Sequence, residues 1–204
     1  MTRQRFVTGC LRLLVAAVLT GGLFACSQQA RTPARYYAID SLVQAQIRFL
    51  AARHAVLTKT ATLGAQQDTA TFVPADSVAW AKELDLFLEL KTLNKPTNVG
   101  AYTVTDDLPD PHSNLRIKSI ETQQSLPVRS LKVFYHGTPA RVRRIEAQFQ
   151  EDNSLYHSAR FLTMEFYALH EQPVLQAYAV TGGQKIFMGD TVAYTVSAKV
   201  SLPN

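Results

Sequence analysis

The chain has 204 residues, with 21 Lys and Arg against 16 Asp and Glu, and only two cysteines. Its net charge of +5 is uneven: residues 1–25 hold Arg3, Arg5 and Arg12 and no acid, so without them the charge falls by three to +2. A near-balanced chain argues against nucleic acid as a partner, because that binding rests on neutralising phosphates. Cys10 and Cys26 both lie at the start, so the remainder has no disulfide, cysteine metal site or thiol nucleophile available.

The first segment has a basic beginning, an apolar run Leu13–Ala25 and then the polar stretch Ser27-Gln28-Gln29. This is the pattern of a secretion signal. The run has 13 residues, short of the roughly 20 needed to span a bilayer. Cleavage that releases a soluble chain favours small residues in an A-x-A-like arrangement, and Leu23 fits that poorly. Leu23-Phe24-Ala25-Cys26 instead resembles the lipobox of bacterial lipoproteins, although Phe24 is bulkier than is usual there. The resemblance implies that Cys26 is the lipidation residue and the first mature residue, its acyl chains giving a stable membrane anchor. The expected organisation is a signal peptide over 1–25, a tether over 26–35 and one domain over 36–204. Nine extended residues reach about 30 Å, so the domain is expected to sit close to its membrane.

In chain order, Asp40 is placed to cap a helix over about 40–54, with Val43, Ile47, Leu50 and His54 on one stripe. Val56–Leu63 reads as a strand, Gly64–Asp68 as a turn and Thr69–Val73 as a short return strand. Pro74 and Asp76 open a second helix running to about Leu93, with Trp80, Leu84, Phe87, Leu88 and Lys91 in register. Asn94-Lys95-Pro96 stops it. From Tyr102 the period changes to two. Tyr102–Thr105 is a strand, and Asp106–Pro111 a loop by composition. Strands follow at Leu115–Glu121, Val128–Tyr135 and Arg141–Gln150. Asp152-Asn153-Ser154 turns the chain into a strand alternating Leu162, Met164 and Phe166 with Thr163, Glu165 and Tyr167. Val174–Phe187 holds Gly182-Gly183 as a hairpin or a bulge. Val192–Val200 alternates cleanly.

Short turns between neighbouring strands require antiparallel pairing, and one apolar face requires cover on one side. The expected fold is α+β: N-terminal helices packed on a curved antiparallel β-meander sheet. The order of lipoprotein signal, Tyr36-Tyr37-Ala38-Ile39-Asp40, Trp80 to Phe87, Asn94-Lys95-Pro96 and a late meander resembles a group of uncharacterised lipoproteins from Bacteroidota. That resemblance implies no activity for any residue.

Candidate chemistry is sparse. His54, His112, His136, His157 and His170 show no metal-ligand spacing, and no serine sits in a nucleophile elbow. Gly182-Gly183-Gln184-Lys185 lacks the phosphate-loop spacing. Asp106, Asp107 and Asp110 lack the EF-hand pattern, so no metal and no cofactor are expected. Arg141, Arg143 and Arg144 form a basic cluster that reads either as a contact for anionic lipid headgroups or as a solvated strand start paired with Glu146. The expectation is a lipid-anchored, non-catalytic module of the cell envelope that binds another protein or a surface polymer, or serves a structural role. The alternative is a carrier or receptor for an apolar ligand such as lipid, held in a cavity beneath the helices. An enzyme is the least favoured of the three. Ser27 lacks the acidic residue that resembles inner-membrane retention, and Gln28–Arg35 lack the acidic run that resembles surface export. The expected location is therefore the outer membrane, facing the periplasm.

Overall fold

The computed structural model describes residues 35–152, 156–186 and 191–203. Nine antiparallel strands form one open sheet in the order β2-β1-β9-β8-β7-β6-β5-β4-β3. Helix α1 (Ile39–Ala52) precedes the hairpin β1 (Val56–Leu63) and β2 (Gln66–Phe72). Short helices α2 (Ser77–Glu83) and α3 (Asp85–Leu88) follow, then 3-10 segments at Glu89–Asn94 and Pro96–Asn98. Seven strands then run in sequence: β3 (Thr103–Pro109), β4 (Arg116–Glu121), β5 (Val128–Tyr135), β6 (Val142–Asp152), β7 (Tyr156–Leu169), β8 (Gln172–Ile186) and β9 (Thr191–Ser201). The α+β reading holds in its coarse form, a mostly β chain with its helices toward the N-terminus. The helices do not simply precede the sheet, however. The first hairpin lies between them in sequence and pairs with β9, the last strand.

One row across the sheet explains how the layers join. Lys59, Ala198, Tyr178, Met164, Ile145, Val133 and Lys118 pair from strand to strand from β1 to β4. The five central residues are buried and belong to the core with Trp80, Leu84, Phe87, Leu90, Val43, Ile47 and Leu50. The lysines at the ends reach acids instead, Lys59 to Glu83 at 2.8 Å and Lys118 to Asp106 at 2.9 Å. Period two delivers one apolar face, and the helical stripes cover it.

Several local expectations change. Asp40 does not cap α1: the capping position is Ala38, and Asp40 lies in the first turn, 3.6 Å from Arg35. The helix ends earlier than 54, because His54 takes a φ of 48°. Its amide donates to Ala51 and that of Ala55 donates to Leu50, the paired bonds of a Schellman end. The helix expected over 76–93 breaks at Leu84 and tightens into 3-10 geometry from Glu89. A three-residue period lets Leu90 and Leu93 both be fully buried. Asp76 does cap α2, its carboxylate accepting from the Ala79 amide at 2.8 Å.

The turn expected over 64–68 is only two residues long, since Gln66 already pairs with Leu63. Gly64 there has a φ of 58°. The loop expected over 106–111 is mostly strand, because β3 runs to Pro109 with a register shift between Thr105 and Leu108. Gly182-Gly183 is neither hairpin nor bulge; both pair in register inside β8, with β7 on one side and β9 on the other. A Cβ on Gly182 would lie 2.7 Å from the Tyr194 hydroxyl, so the glycine makes room for that ring. The irregularity of β8 falls instead opposite Glu165 and Phe166. Phe187, Asn153 and Ser154, which also carried expectations, lie outside the described residues.

Buried polar side chains tie the layers together. Gln46 of α1 is 4% exposed. It donates to the Pro173 carbonyl at 2.9 Å and accepts from the Leu175 amide at 2.8 Å. It thus supplies ladder-like bonds beside the irregular stretch of β8. Asn94 donates to the Tyr37 carbonyl at 2.6 Å and accepts from the Tyr36 amide at 2.9 Å, pinning the start of the domain. Arg160 reaches Glu89 at 3.3 Å and Glu151 at 3.0 Å, with its guanidinium 4.7 Å from the Phe149 ring centre.

Candidate functional site

The face of the sheet turned away from the helices carries the second set of side chains. One row reads Thr69, Thr60, Ser197, Ala179, Thr163, Glu146, Lys132, Ser119 and Thr105 from one edge to the other. The neighbouring row reads Thr71, Thr58, Lys199, Ala177, Glu165, Arg144, Phe134, Ile117 and Leu108. On the β2 side these rows are hydroxyls and alanines, with Lys199 among them. Toward β3 the second row becomes apolar and is sealed by Arg144, whose guanidinium lies 3.9 Å from the Phe134 ring centre.

Where the side chains are smallest, the surface sinks into a groove of about 360 Å³. Ala177 and Ala179 stand between Thr58, Thr60 and Ser197 on one flank and Thr163 on the other, with Lys199 and Glu165 at one end. Its geometry follows from the pleat: outward residues repeat every second position, and the two alanines of β8 remove volume between its neighbours. Thr58 and Thr71 share a hydrogen bond of 3.0 Å, as do Thr60 and Thr69. A hydroxyl both donates and accepts, so this rim can meet a ligand of either polarity. Lys199 and Glu165 flank Ala177 in one row, on the strands either side of β8.

The residues singled out from the sequence fall elsewhere. Cys26 lies outside the described residues. Arg141 pairs with Glu171 at 2.6 Å. Arg144 pairs with Glu146 at 2.9 Å and sits 3.9 Å from the buried Asp110. Arg143 occupies the register shift between Phe134 and Tyr135, and its guanidinium donates to the Val142 carbonyl at 3.5 Å. The cluster therefore divides: Arg144 closes the outer sheet face, while Arg141 and Arg143 stay by the β5–β6 turn. That turn adjoins the start of the domain, where the Tyr37 hydroxyl donates to the Pro139 carbonyl at 3.4 Å.

His54, His112, His136, His157 and His170 are exposed, and His157 meets Asp152 through Nδ1. Among the described residues no group of three His, Cys, Asp or Glu could hold a metal ion, and no helix is long and apolar enough to cross a membrane. The aspartates at 106, 107 and 110 do not converge. Asp106 and Asp107 face Lys118 and Arg116, while Asp110 accepts from Ser113 at 2.6 Å.

The tyrosines with the largest upward shifts, Tyr37, Tyr102 and Tyr178, pack with the core rather than in the groove. Burial pushes the Tyr178 hydroxyl up, helped by Glu83 at 3.3 Å. Burial alone takes Tyr37 to about 12. Burial also raises Glu89 against the pull of Arg160. These shifts mark the latches between helices and sheet. Sequence reasoning missed the groove because its walls come from four strands; the legible signal was small outward residues at 177, 179 and 197. No protein-family model, curated protein or solved structure matches the chain.

Proposed function

We propose that this chain is a non-catalytic binding module of the cell envelope, held to the membrane by lipid on Cys26, with its ligand lying in the outer-face groove over β1, β9, β8 and β7. The observation that carries the reading is the alanine floor of Ala177 and Ala179 walled by Thr58, Thr60, Thr163 and Ser197. A floor without side-chain bulk admits an extended chain, and a hydroxyl rim suits a polyhydroxylated one, so the ligand class is a glycan strand. Arg141 and Arg143 stand near the first described residues, and this supports a role for them at anionic headgroups. The resemblance to Bacteroidota lipoproteins and an outer-membrane, periplasm-facing location belong to the same reading.

A carrier of apolar ligand has less support. Trp80, Leu84, Phe87, Leu162 and Met164 pack as one buried cluster between the layers, and the outer groove over β1, β9, β8 and β7 sets Thr58, Thr60, Thr163, Ser197, Glu165 and Lys199 around its alanines.

Ala179→Leu tests the reading, because it fills the groove on a solvent-facing position. Binding of the full chain to soluble cell-wall glycan fragments should weaken at least tenfold, with melting unchanged. Equal binding by the variant would contradict the site. For the anchor, Cys26→Ser should abolish acyl labelling and leave the precursor unprocessed; normal processing would contradict it.

A further inference from the structure

The two edges of the sheet are β2 and β3, and their backbones differ. Leu63 and Gln66 close a two-residue hairpin loop and so exchange hydrogen bonds. Alternation then turns the amides and carbonyls of Gln66, Asp68, Ala70 and Phe72 toward β1, and those of Gln67, Thr69 and Thr71 outward. All seven residues of β2 are exposed, and its pairing with β1 runs without a shift. The strand has one charge, Asp68, whose carboxylate accepts from the outward Thr69 amide at 2.9 Å. Exposed edges of this kind are templates for a further strand.

β3 is equally exposed but closed to pairing. Two residues, Asp106 and Asp107, stand where β4 has only Lys118. Asp107 has a φ of 59°, and its carboxylate is held by Arg116 at 2.7 Å. Pro109 ends the strand without an amide hydrogen.

We propose that β2 pairs antiparallel with β2 of a second copy of this chain across a twofold axis, joining two nine-stranded sheets into one. The asymmetry of the edges selects this partner. Head-to-tail pairing of β2 with β3 would propagate into filaments, and the β3 bulge prevents it. An axis at Thr69 sets Thr69 against the partner's Thr69, Gln67 against the partner's Thr71, and Asp68 against the partner's Ala70. The outer face then continues from one copy to the next as hydroxyl and amide groups. On the inner face Ala70 pairs with Lys59 within each chain. Each Asp68 therefore lies two strands from the partner's Lys59, across one alanine, and adds a second opposite charge on the row where Glu83 already holds that lysine. Gln66 meets the partner's Phe72, which is 38% exposed in the single chain. Asp68 releases the Thr69 amide as the ladder forms. This pairing does not depend on the groove's ligand.

Native mass spectrometry of the detergent-solubilised full chain at tens of micromolar tests the pairing. The wild type should be dimeric. Thr69→Pro, which removes only an outward amide, should be monomeric with an unchanged circular dichroism spectrum. In membranes, Thr69→Cys should oxidise to a cross-linked dimer that the wild type and Thr105→Cys on β3 do not give. A monomeric wild type, a dimer that survives Thr69→Pro, or equal cross-linking at 105 would each overturn the proposal.

Discussion

Strands β2 and β3 end the same sheet, are each seven residues long and are exposed throughout. Exposure therefore does not distinguish them; local geometry does. In β3, two adjacent aspartates against one lysine force a register shift, and the ion pairs with Arg116 and Lys118 hold it. In β2, alternating Thr, Ala and Gln keep the pleat regular, and only Asp68 shields an outward amide. A bulge held by two cations is a durable guard, whereas a carboxylate folded onto its neighbour's amide is a removable one. The outer face follows the same gradient, from open hydroxyls beside β2 to the Phe134, Ile117 and Leu108 row beneath Arg144 near β3.

The largest test of this contrast removes what the edges share. Phe87 is 1% exposed and packs edge-to-face on Tyr178 with ring centres 5.6 Å apart. Phe87→Ala should cost about 3–5 kcal/mol, a large part of a total near 5–15 kcal/mol. Urea unfolding followed at both edges should then show one lowered midpoint; separate midpoints would mean that the edges do not share a core. Next, Ala70→Pro removes an inward amide and its ladder bond and should cost about 1–3 kcal/mol. Thr69→Pro, one residue away, should change monomer stability by under about 0.5 kcal/mol. Equal costs would show that the hairpin parity is misassigned.

An effect of similar size to that of Ala70→Pro is expected inside the β2 half. Gly182→Ala forces the Tyr194 ring away from its 2.7 Å approach, at a cost of about 1–3 kcal/mol. Amide exchange should rise in β1 and β9 but not in β4. The β7–β8 turn belongs to neither edge and serves as a control. His170 and Glu171 both hold positive φ, 48° and 67°, a geometry that favours Asn-Gly. Glu171→Gly should stabilise by up to about 1 kcal/mol, less whatever the exposed Arg141–Glu171 pair contributes. Thermal melting would register the gain equally at both edges.

The smallest effect is that of pH on the β3 guard. The hydrogen bond from Arg116 holds the Asp107 carboxyl below its ordinary value near 3.8. A depressed carboxylate contributes stability above its unfolded pKa and loses it only as pH falls through the lower, folded value. The protection factor at β3, which corrects exchange for its intrinsic pH dependence, should therefore be unchanged between about pH 7 and pH 4.5 and should fall only under more acidic conditions. A fall near pH 5 would mean that the ion pair is not the guard.

Period-two alternation made most of the sheet legible from sequence. Val128–Tyr135 was located to the residue, because Pro127 stands before it and the His136-Gly137 turn follows it. Where three elements met, local pattern was not enough. That β1 lies against β9 depends on residues at opposite ends of the domain. The break at Leu84 was invisible because α-helical and 3-10 periods share their first spacing, i to i+3, and only packing of Leu90 and Leu93 selects the tighter one. Gly182-Gly183 resembled a turn by composition, and only the Tyr194 ring shows why bulk is excluded there. Gln46 stood on the apolar stripe of α1 between Val43 and Ile47, a detectable sign of a buried polar role. The groove could not be read from any one segment, since each strand contributes only one or two small residues to it.

Backbone amide exchange of Gln67, Thr69 and Thr71 as a function of protein concentration tests the edge contrast most directly. These are the outward groups of β2, and Val104, the outward amide of β3 beside the inward pair Thr105–Ser119, is the reference. Protection at the three β2 amides should rise with concentration and disappear on dilution, while Val104 stays constant. Exchange at β2 that is independent of concentration, or protection that rises equally at Val104, would contradict an open edge facing a closed one.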